Sequence, residues 1–494
     1  MREMPRIPRL VWLALPLAYL LYFYHLDAAG LLGPDEPRYA SIGREMAASG
    51  DWVTPRLWGQ PWFEKPALLY WTTAAGFRLD LGPELAPRLP VALASVLFLA
   101  FFAWIVGREF GSRAAGLATL ILATCWGWIG FSQVGVTDLL LSATFSAGML
   151  LALPWIAKGD ERPLPAMAAM IGLAVLAKGL VPLVLAGPLA CRRRLRDLLR
   201  IRVVIAFLVI ALPWYLLCYL RNGWEFLSVF FWQHHFARYV SGGLMHVQSA
   251  WFYIPVFVAG MLPWAPLLIL LPRRAAWNDP RRLYLLLWVL WGLVFFSLSA
   301  NKLPGYILPL FPAAAVLMAL GLEEIADARP WLAACALLLV AFPVAAQTLP
   351  MAVADGLSHA ALPHFDWMWL LPLAAAAAVW FLRDRRVAAA ATIAICATAG
   401  VVYLKTATVP EVDRLASARG IWRRIEARSS HTCVADIQRN WRYGLNYYSV
   451  QPLPDCAADP KPIEVRQAAN QPPHLAPADS SRYRDAGFAS PETR

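Results

Sequence analysis

Apolar residues in this chain gather in long uninterrupted runs, not at the spacing of a half-buried helix or strand. The first run extends from Leu10 to about His25. Twelve more lie near 85–107, 114–132, 138–157, 164–178, 179–191, 201–220, 251–271, 283–299, 304–321, 331–349, 366–382 and 387–404. Most approach the roughly 20 residues that a helix needs to cross the ~30 Å hydrocarbon layer of a bilayer, which predicts about 13 transmembrane helices. The runs 164–178 and 179–191 are shorter and meet at Lys178-Gly179. Reading them as one span would place the arginine cluster at 192–202 on the wrong side of the membrane, so they are read as two. The charged stretch before Leu10 followed by an apolar run imitates a signal peptide, but no small-x-small cleavage site follows. It is read as the first span.

Composition agrees with the pattern. Of 494 residues, 59% are hydrophobic and 15% charged, and the mean hydropathy is +0.50, far from the balance of a water-soluble domain. A net charge of +12 could suggest nucleic acid, but Lys and Arg sit at the ends of the apolar runs. Arg108 and Arg113, Lys158 and Arg162, the cluster Arg192 to Arg202, Arg273 to Arg282, Arg329, and Arg383 to Arg386 fall in every second loop. That alternation predicts a cytoplasmic N-terminus and excludes a nucleic-acid reading. An odd number of spans puts the C-terminus outside. The polar segment 405–494 then reads as a small exported α/β domain, with strand-like pieces at Thr432–Ile437 and Tyr443–Val450 and a disordered tail from about Gln467. Cys433 and Cys456 fall in this segment and can pair in an oxidising space, whereas Cys125, Cys191, Cys218, Cys335 and Cys396 read as small apolar residues in spans or at a cytoplasmic end.

The chemistry concentrates in the outer loop 27–84. Asp35 and Glu36 precede Pro37, which suits the first turn of a helix running to about Ser49 with the acidic pair at its positive end. Ile42 and Met46 share a face of that helix. A second amphipathic helix runs from Pro66 to about Leu79, carrying Tyr70 and Trp71, so both suit the bilayer surface. Taken alone, Asp35 reads as a helix cap. Its company argues for more: Asp138 opens a span, Lys178 interrupts another, and Asn301-Lys302 separates two, all at the same outer level. Ionisable residues at membrane depth are costly and usually face a polar cavity, which points to one shared site.

The run DEPRYASIGREMAASGDWVTPRLWGQPWFEKPALLYW, with the TD before a span, the AKG, the loop FFWQHHFARYVSGGLMHVQSAWFYIPVFVAGMLPW and NKLPGYILPL, resembles the bacterial aminoarabinose transferases of lipid A and their relatives among the GT-C glycosyltransferases. The similarity covers roughly residues 10–320, and beyond about 330 it is general. It implies a GT-C domain over 1–404 with outer loops at 27–84 and 221–250, followed by a periplasmic domain over 405–494. It also implies an enzyme of the bacterial inner membrane that moves a sugar from a polyprenyl phosphate carrier to lipid A or another envelope glycan. Residue by residue, Asp35 matches the catalytic carboxylate and Asp138 the second acidic residue. Arg38 stands beside Asp35, Glu64-Lys65 match the metal-binding and phosphate-binding pair, and Arg38, Lys178 and Tyr306 fall at positions around the donor phosphate. Trp62 stands where some relatives carry tyrosine, and Ala67 where many carry a second proline.

The chemistry is sensible on its own terms. A sugar leaving a polyprenyl phosphate releases a phosphate monoester dianion, so cations are needed where that charge develops, and Arg38, Lys65 and Lys178 can supply them. Asp35 can orient or deprotonate an acceptor hydroxyl. Glu64 with His235 and His246 from the second outer loop could hold a zinc-like divalent metal, although no HxxxH or HExxH spacing supports it. Three rivals compete with lipid-linked sugar transfer to a glycolipid: protein O-glycosylation, a transporter or flippase, and a scaffold whose exported domain binds a partner. Transporters often show repeated halves. No internal repeat is evident here, and the charges concentrate in one outer loop.

Overall fold

A backbone inside a bilayer must satisfy its own polar groups, which leaves helices as the default for apolar runs of this length. The computed structural model describes residues 9–191, 194–230, 232, 248–272, 277–382, 385–468 and 471–477. Every expected apolar run falls on helical chain. Among the described residues seven helices are long and apolar enough to cross a membrane, from Leu85–Phe110 to Arg386–Ala416, and the pair Ser112–Thr124 and Trp126–Ser132, bent by 59°, reaches that length only if taken as one span. The other five runs fall on shorter apolar helices: Ala14–Phe23, Leu164–Lys178, Val181–Cys191, Ala250–Gly260 and Trp367–Phe381.

Burial separates inner from outer helices. Thr137–Lys158 and Pro304–Glu324 are 89% and 94% buried over their apolar windows, whereas Ile201–Phe230 is 22% buried and turns a row of leucine, isoleucine and valine side chains outward. The inner helices therefore form the scaffold, and the outer one presents its apolar face to lipid. Small residues permit tight helix contacts: a Cβ on Gly148 would meet the Ile171 side chain at 2.9 Å, and one on Gly172 would meet the Phe207 carbonyl of the outer helix at 3.1 Å.

The C-terminal segment forms a mixed sheet in which Thr432–Val434 runs parallel to Ile463–Arg466, which pairs antiparallel with His474–Pro477. Two expectations are corrected here. The segment 443–450 is not a strand but the end of the Arg439–Tyr448 helix, because Trp441, Leu445 and Tyr448 recur at helical spacing and pack against Ile421, Ile425 and Val434. The chain beyond Gln467 is not wholly disordered, since His474–Pro477 completes the sheet by pairing with a buried strand. Cys433 and Cys456 are joined as a disulfide, as expected.

This C-terminal segment is fastened to the 27–84 loop. Asp413 accepts from the Gly30 amide at 2.7 Å, Arg44 donates to the Tyr447 carbonyl at 2.6 Å, and the Tyr447 hydroxyl donates to the Pro83 carbonyl at 2.6 Å. Arg419 adds an ion pair to Glu84 at 3.6 Å and donates to the Asp27 carbonyl at 3.0 Å.

Candidate active site on the outer loop

The first-loop helix occupies Asp35–Ser49 and ends at Gly50, whose φ of 71° is the left-handed conformation that suits glycine. It packs on the Leu68–Arg78 helix, and the approach is close enough that a Cβ on Gly43 would lie 2.5 Å from the Thr73 side chain. Ile42 and Met46 are buried, as expected from their shared face.

On the other side, the side chains of the helix and of the following loop form a charged cluster. The Asp35 side chain is 45% exposed and accepts from the Arg38 guanidinium, which is itself only 4% exposed. Arg38 also pairs with Glu64 at 3.1 Å, and Lys65 pairs with the other Glu64 oxygen at 3.2 Å. Aromatic rings surround the guanidinium: Tyr39, Trp62 and Tyr443 have centroids at 5.3, 5.6 and 5.5 Å from its carbon. Burial works against the Arg38 charge, but Glu64, then Tyr39 and Asp35, outweigh it and hold the guanidinium charged above its ordinary range. Burial, reinforced by Glu64, raises the Tyr39 and Tyr70 hydroxyls well above the usual phenol range, so both stay neutral donors. Arg38 Nε and the Tyr70 hydroxyl are buried without a hydrogen-bond partner among the described residues. Such unspent donors beside a half-exposed carboxylate suit a site that completes its contacts with a ligand.

A second charged group lies on two neighbouring antiparallel helices. Asp138 is in the first turn of Thr137–Leu151, and Lys178 is the last residue of Leu164–Lys178, before Gly179 with φ 74°. Each charge complements the dipole of its own helix end, and antiparallel packing brings the ends together. Lys178 Nζ lies 2.6 Å from Asp138 Oδ1 and 4.7 Å from the Tyr306 ring centroid. Tyr306 is held by Asn301, whose side-chain nitrogen reaches the phenol oxygen at 3.3 Å. Gly305 cannot carry a side chain here, because its Cβ would sit 2.5 Å from the Asp138 carboxylate.

Two ties join the groups. The Gly135 amide, three residues before Asp138, donates to Glu36 at 2.8 Å, and Phe63 and Ala67, flanking Glu64-Lys65, share an apolar cluster with Leu176. The structure thus gathers the expected residues into two charged groups, Asp35, Arg38, Glu64 and Lys65 in one and Asp138, Lys178 and Tyr306 in the other, with these ties between the chain segments that carry them. Lys302 does not join them as expected. Its ammonium donates to the carbonyls of Ser299 and, at 3.1 Å, Gln248, where it fastens the chain between two helices.

Sequence reasoning missed the Glu36–Arg88 pair. Arg88 Nε and Nη2 reach the two Glu36 oxygens at 2.7 and 2.8 Å, and the remaining guanidinium donors reach the carbonyls of Leu26, Ala29 and Gly30. Glu36 also accepts from the Leu32 amide at 2.8 Å. The available signal was a lone arginine inside the run LAPRLPVALAS, where a charge demands a partner.

Of the expected metal ligands only Glu64 is described; His235 and His246 lie outside the described residues. Both Glu64 oxygens face cations, so a metal there would have to take the place of one of them. Among the described residues the one cluster of three donors within 4.8 Å is Cys433, Cys456 and Glu464, whose sulfurs are bonded to each other.

The family model for dolichyl-phosphate-mannose-protein mannosyltransferases matches residues 9–223. An undecaprenyl phosphate-α-4-amino-4-deoxy-L-arabinose arabinosyl transferase of Pseudomonas fluorescens is 35% identical over 317 residues, 60% of this chain and 54% of that protein. One of Aeromonas salmonicida is 35% identical over 325 residues, 62% of this chain and 59% of that protein. The chain therefore aligns with less than two thirds of the length of these relatives. The crystal structure of ArnT from Cupriavidus metallidurans bound to undecaprenyl phosphate superposes with a TM-score of 0.73 at 28% identity, covering 93% of this chain and 86% of that one. The apo oligosaccharyltransferase of Archaeoglobus fulgidus shares the fold alone, with a TM-score of 0.51 at 12% identity over 92% of this chain and 65% of that one. In sequence over its N-terminal part and in fold over most of its length, the chain is thus similar to the ArnT-like GT-C membrane glycosyltransferases.

Proposed function

We propose that the protein transfers a sugar, aminoarabinose or a close relative, from undecaprenyl phosphate to lipid A at the periplasmic face of the inner membrane. The observation that carries this reading is the set of three cations: Arg38 on the half-exposed Asp35, Lys65 on Glu64 of the same cluster, and Lys178 on Asp138 of the group tied to it. An oxygen of the acceptor attacks the anomeric carbon, the bond from that carbon to the phosphate oxygen breaks, and the polyprenyl phosphate leaves with the electron pair. The cations stabilise the developing dianion, with Arg38 able to bind it bidentately. Where the acceptor is a hydroxyl, Asp35 takes its proton. Where it is an ionised phosphate no proton is released, and Asp35 acts by positioning. Relatives named for undecaprenyl phosphate-aminoarabinose transfer, and one solved with undecaprenyl phosphate bound, support this donor.

The same reading takes the thirteen helical runs as thirteen crossings, with a cytoplasmic N-terminus and a periplasmic C-terminal domain. The Cys433–Cys456 disulfide supports that side for the domain. Thiol-labelling of single cysteines placed in each loop tests it. A zinc-like metal on Glu64, His235 and His246 is the lesser reading of the loop, because Glu64 is engaged by two cations. Loss of transfer on chelation, restored by zinc, would establish it.

The test is reconstitution. Purified protein in proteoliposomes, given undecaprenyl phosphate-linked aminoarabinose and lipid A, should produce sugar-modified lipid A without any membrane gradient, as read by mass spectrometry. Translocation of the lipid-linked sugar with no new glycosidic bond would instead establish a flippase.

A further inference from the structure

The reaction cluster does not stop at the membrane domain. Tyr443, from the C-terminal domain, has its ring centroid 5.5 Å from the Arg38 guanidinium, and the same ring stacks on Trp58 at 5.6 Å with an interplanar angle of 22°. It also lies 5.3 Å from the guanidinium of Arg439. Beyond Tyr443 and Trp58 opens a cleft of about 940 Å³ whose walls include Arg439, Arg442, Arg466 and Asp436.

The charges in this cleft are unequally spent. Arg442 pairs with Asp455 at 3.5 Å and donates to the Val434 carbonyl at 3.2 Å, and Arg466 pairs with the buried Glu464 at 2.5 Å. Arg439 is exposed and, among the described residues, has the Tyr443 ring but no carboxylate beside it. Asp436 is likewise exposed and makes no ion pair among the described residues. One free cation, one free carboxylate and an aromatic surface thus share a single opening.

The aromatic surface is held there against local preference. Trp58 and Gly59 form the turn between the paired Arg56–Leu57 and Gln60–Pro61, with φ of 53° and 81°. Such two-residue turns need positive φ at both positions, which glycine and asparagine adopt readily and tryptophan does not. Backbone strain of this kind persists where surrounding structure enforces it and clusters at ligand sites. Here it carries the indole from the first loop onto Tyr443 of the other domain.

We propose that this cleft is the acceptor subsite and takes a phosphorylated amino sugar. The Trp58 and Tyr443 rings offer a flat apolar surface to a sugar face, Arg439 binds the phosphate, and Asp436 accepts from a sugar hydroxyl or ammonium. Because Tyr443 also touches the Arg38 cluster, a headgroup in the cleft is one aromatic ring away from the proposed reaction centre. The proposal rests on the glycosyl-transfer reading for its role as acceptor site, but the binding it predicts needs no donor.

The test is calorimetric titration of the full-length protein in nanodiscs with glucosamine 1-phosphate, glucosamine and inorganic phosphate. Saturable binding of glucosamine 1-phosphate is expected, about tenfold or more tighter than either fragment, since both the sugar face and the charge are recognised. Arg439→Ala should weaken it about tenfold, Arg439→Lys less, and Lys158→Ala, an exposed residue outside both sites, should leave it unchanged. Trp58→Gly, which suits the backbone, should keep the thermal midpoint while the protein binds glucosamine 1-phosphate no better than phosphate. In turnover, Arg439→Ala should raise the acceptor KM and leave the donor KM alone. Wild-type binding by both Arg439→Ala and Trp58→Gly overturns the cleft, as does loss of binding in Lys158→Ala. Intact, Arg439-dependent binding in a protein that transfers no sugar upholds the cleft and overturns the transfer reading instead.

Discussion

Asp35 and Glu36 are neighbours in the chain, yet they serve regions built on opposite terms. Around Glu36 and Arg88 both side chains are 3% exposed or less, every guanidinium donor is bonded, and amides from two separate segments converge on one carboxylate. Around Asp35 the carboxylate is half-exposed, Arg38 keeps an unspent donor, and Lys178 and Lys65 retain partial access to solvent. A polar network closed on itself costs most when one member is removed, and it specifies geometry. One left open has capacity for a ligand. The contrast assigns scaffold work to Glu36–Arg88 and chemistry to Asp35, Arg38 and Lys178.

The largest effect should come from breaking the closed network. Arg88→Met strands a buried Glu36 and should lower stability by about 3–5 kcal/mol, seen as poor yield and a depressed thermal midpoint in detergent. Adding Glu36→Leu should recover part of that loss, since the charge left behind is the main cost. A wild-type midpoint for Arg88→Met would erase the contrast. In the open network the reverse holds: Asp35→Asn should reduce transfer by about 10²–10⁴-fold and leave the thermal midpoint in place.

Lys178→Ala removes a cation that contacts Asp138 and Tyr306, and should weaken undecaprenyl phosphate binding by about 2 kcal/mol or more, measured by equilibrium titration. Reduction of the Cys433–Cys456 bond, which closes a loop of 23 residues, should cost the C-terminal domain about 3 kcal/mol by chain entropy, read by proteolysis, while the membrane helices stay folded. The smallest effect belongs to Tyr306→Phe. It keeps the ring beside Lys178 and loses the contact to Asn301, worth about 1 kcal/mol, so transfer should fall no more than a few-fold.

The two regions were unequally legible in the sequence. Asp35, Lys178 and Asp138 stood out because each interrupts or borders apolar chain, and the 35–49 helix could be bounded from Pro37 and Gly50. The Glu36–Arg88 latch was hidden: its partners are 52 residues apart, and each has a local explanation, as a first-turn acid and as a charge at the start of a span. Lys302 shows the converse. It carried the same outward sign as Lys178, yet nearby carbonyls consume its donors, which no local pattern announces. In the C-terminal segment, Tyr443–Val450 read as a strand, but Trp441, Leu445 and Tyr448, spaced by four and three, decide for helix. Tyr443 and Trp58 meet only through docking of that domain on the first loop, a relation set by tertiary packing alone.

The account turns on a division of labour inside the open network, and one paired experiment addresses it. Wild type, Asp35→Asn and Lys178→Ala would be compared for equilibrium binding of undecaprenyl phosphate and for single-turnover sugar transfer in the same proteoliposomes. Asp35→Asn should bind the carrier phosphate as wild type does and fail to transfer, whereas Lys178→Ala should lose both. Transfer by Asp35→Asn within a few-fold of wild type, or undiminished phosphate binding by Lys178→Ala, would contradict the assignment.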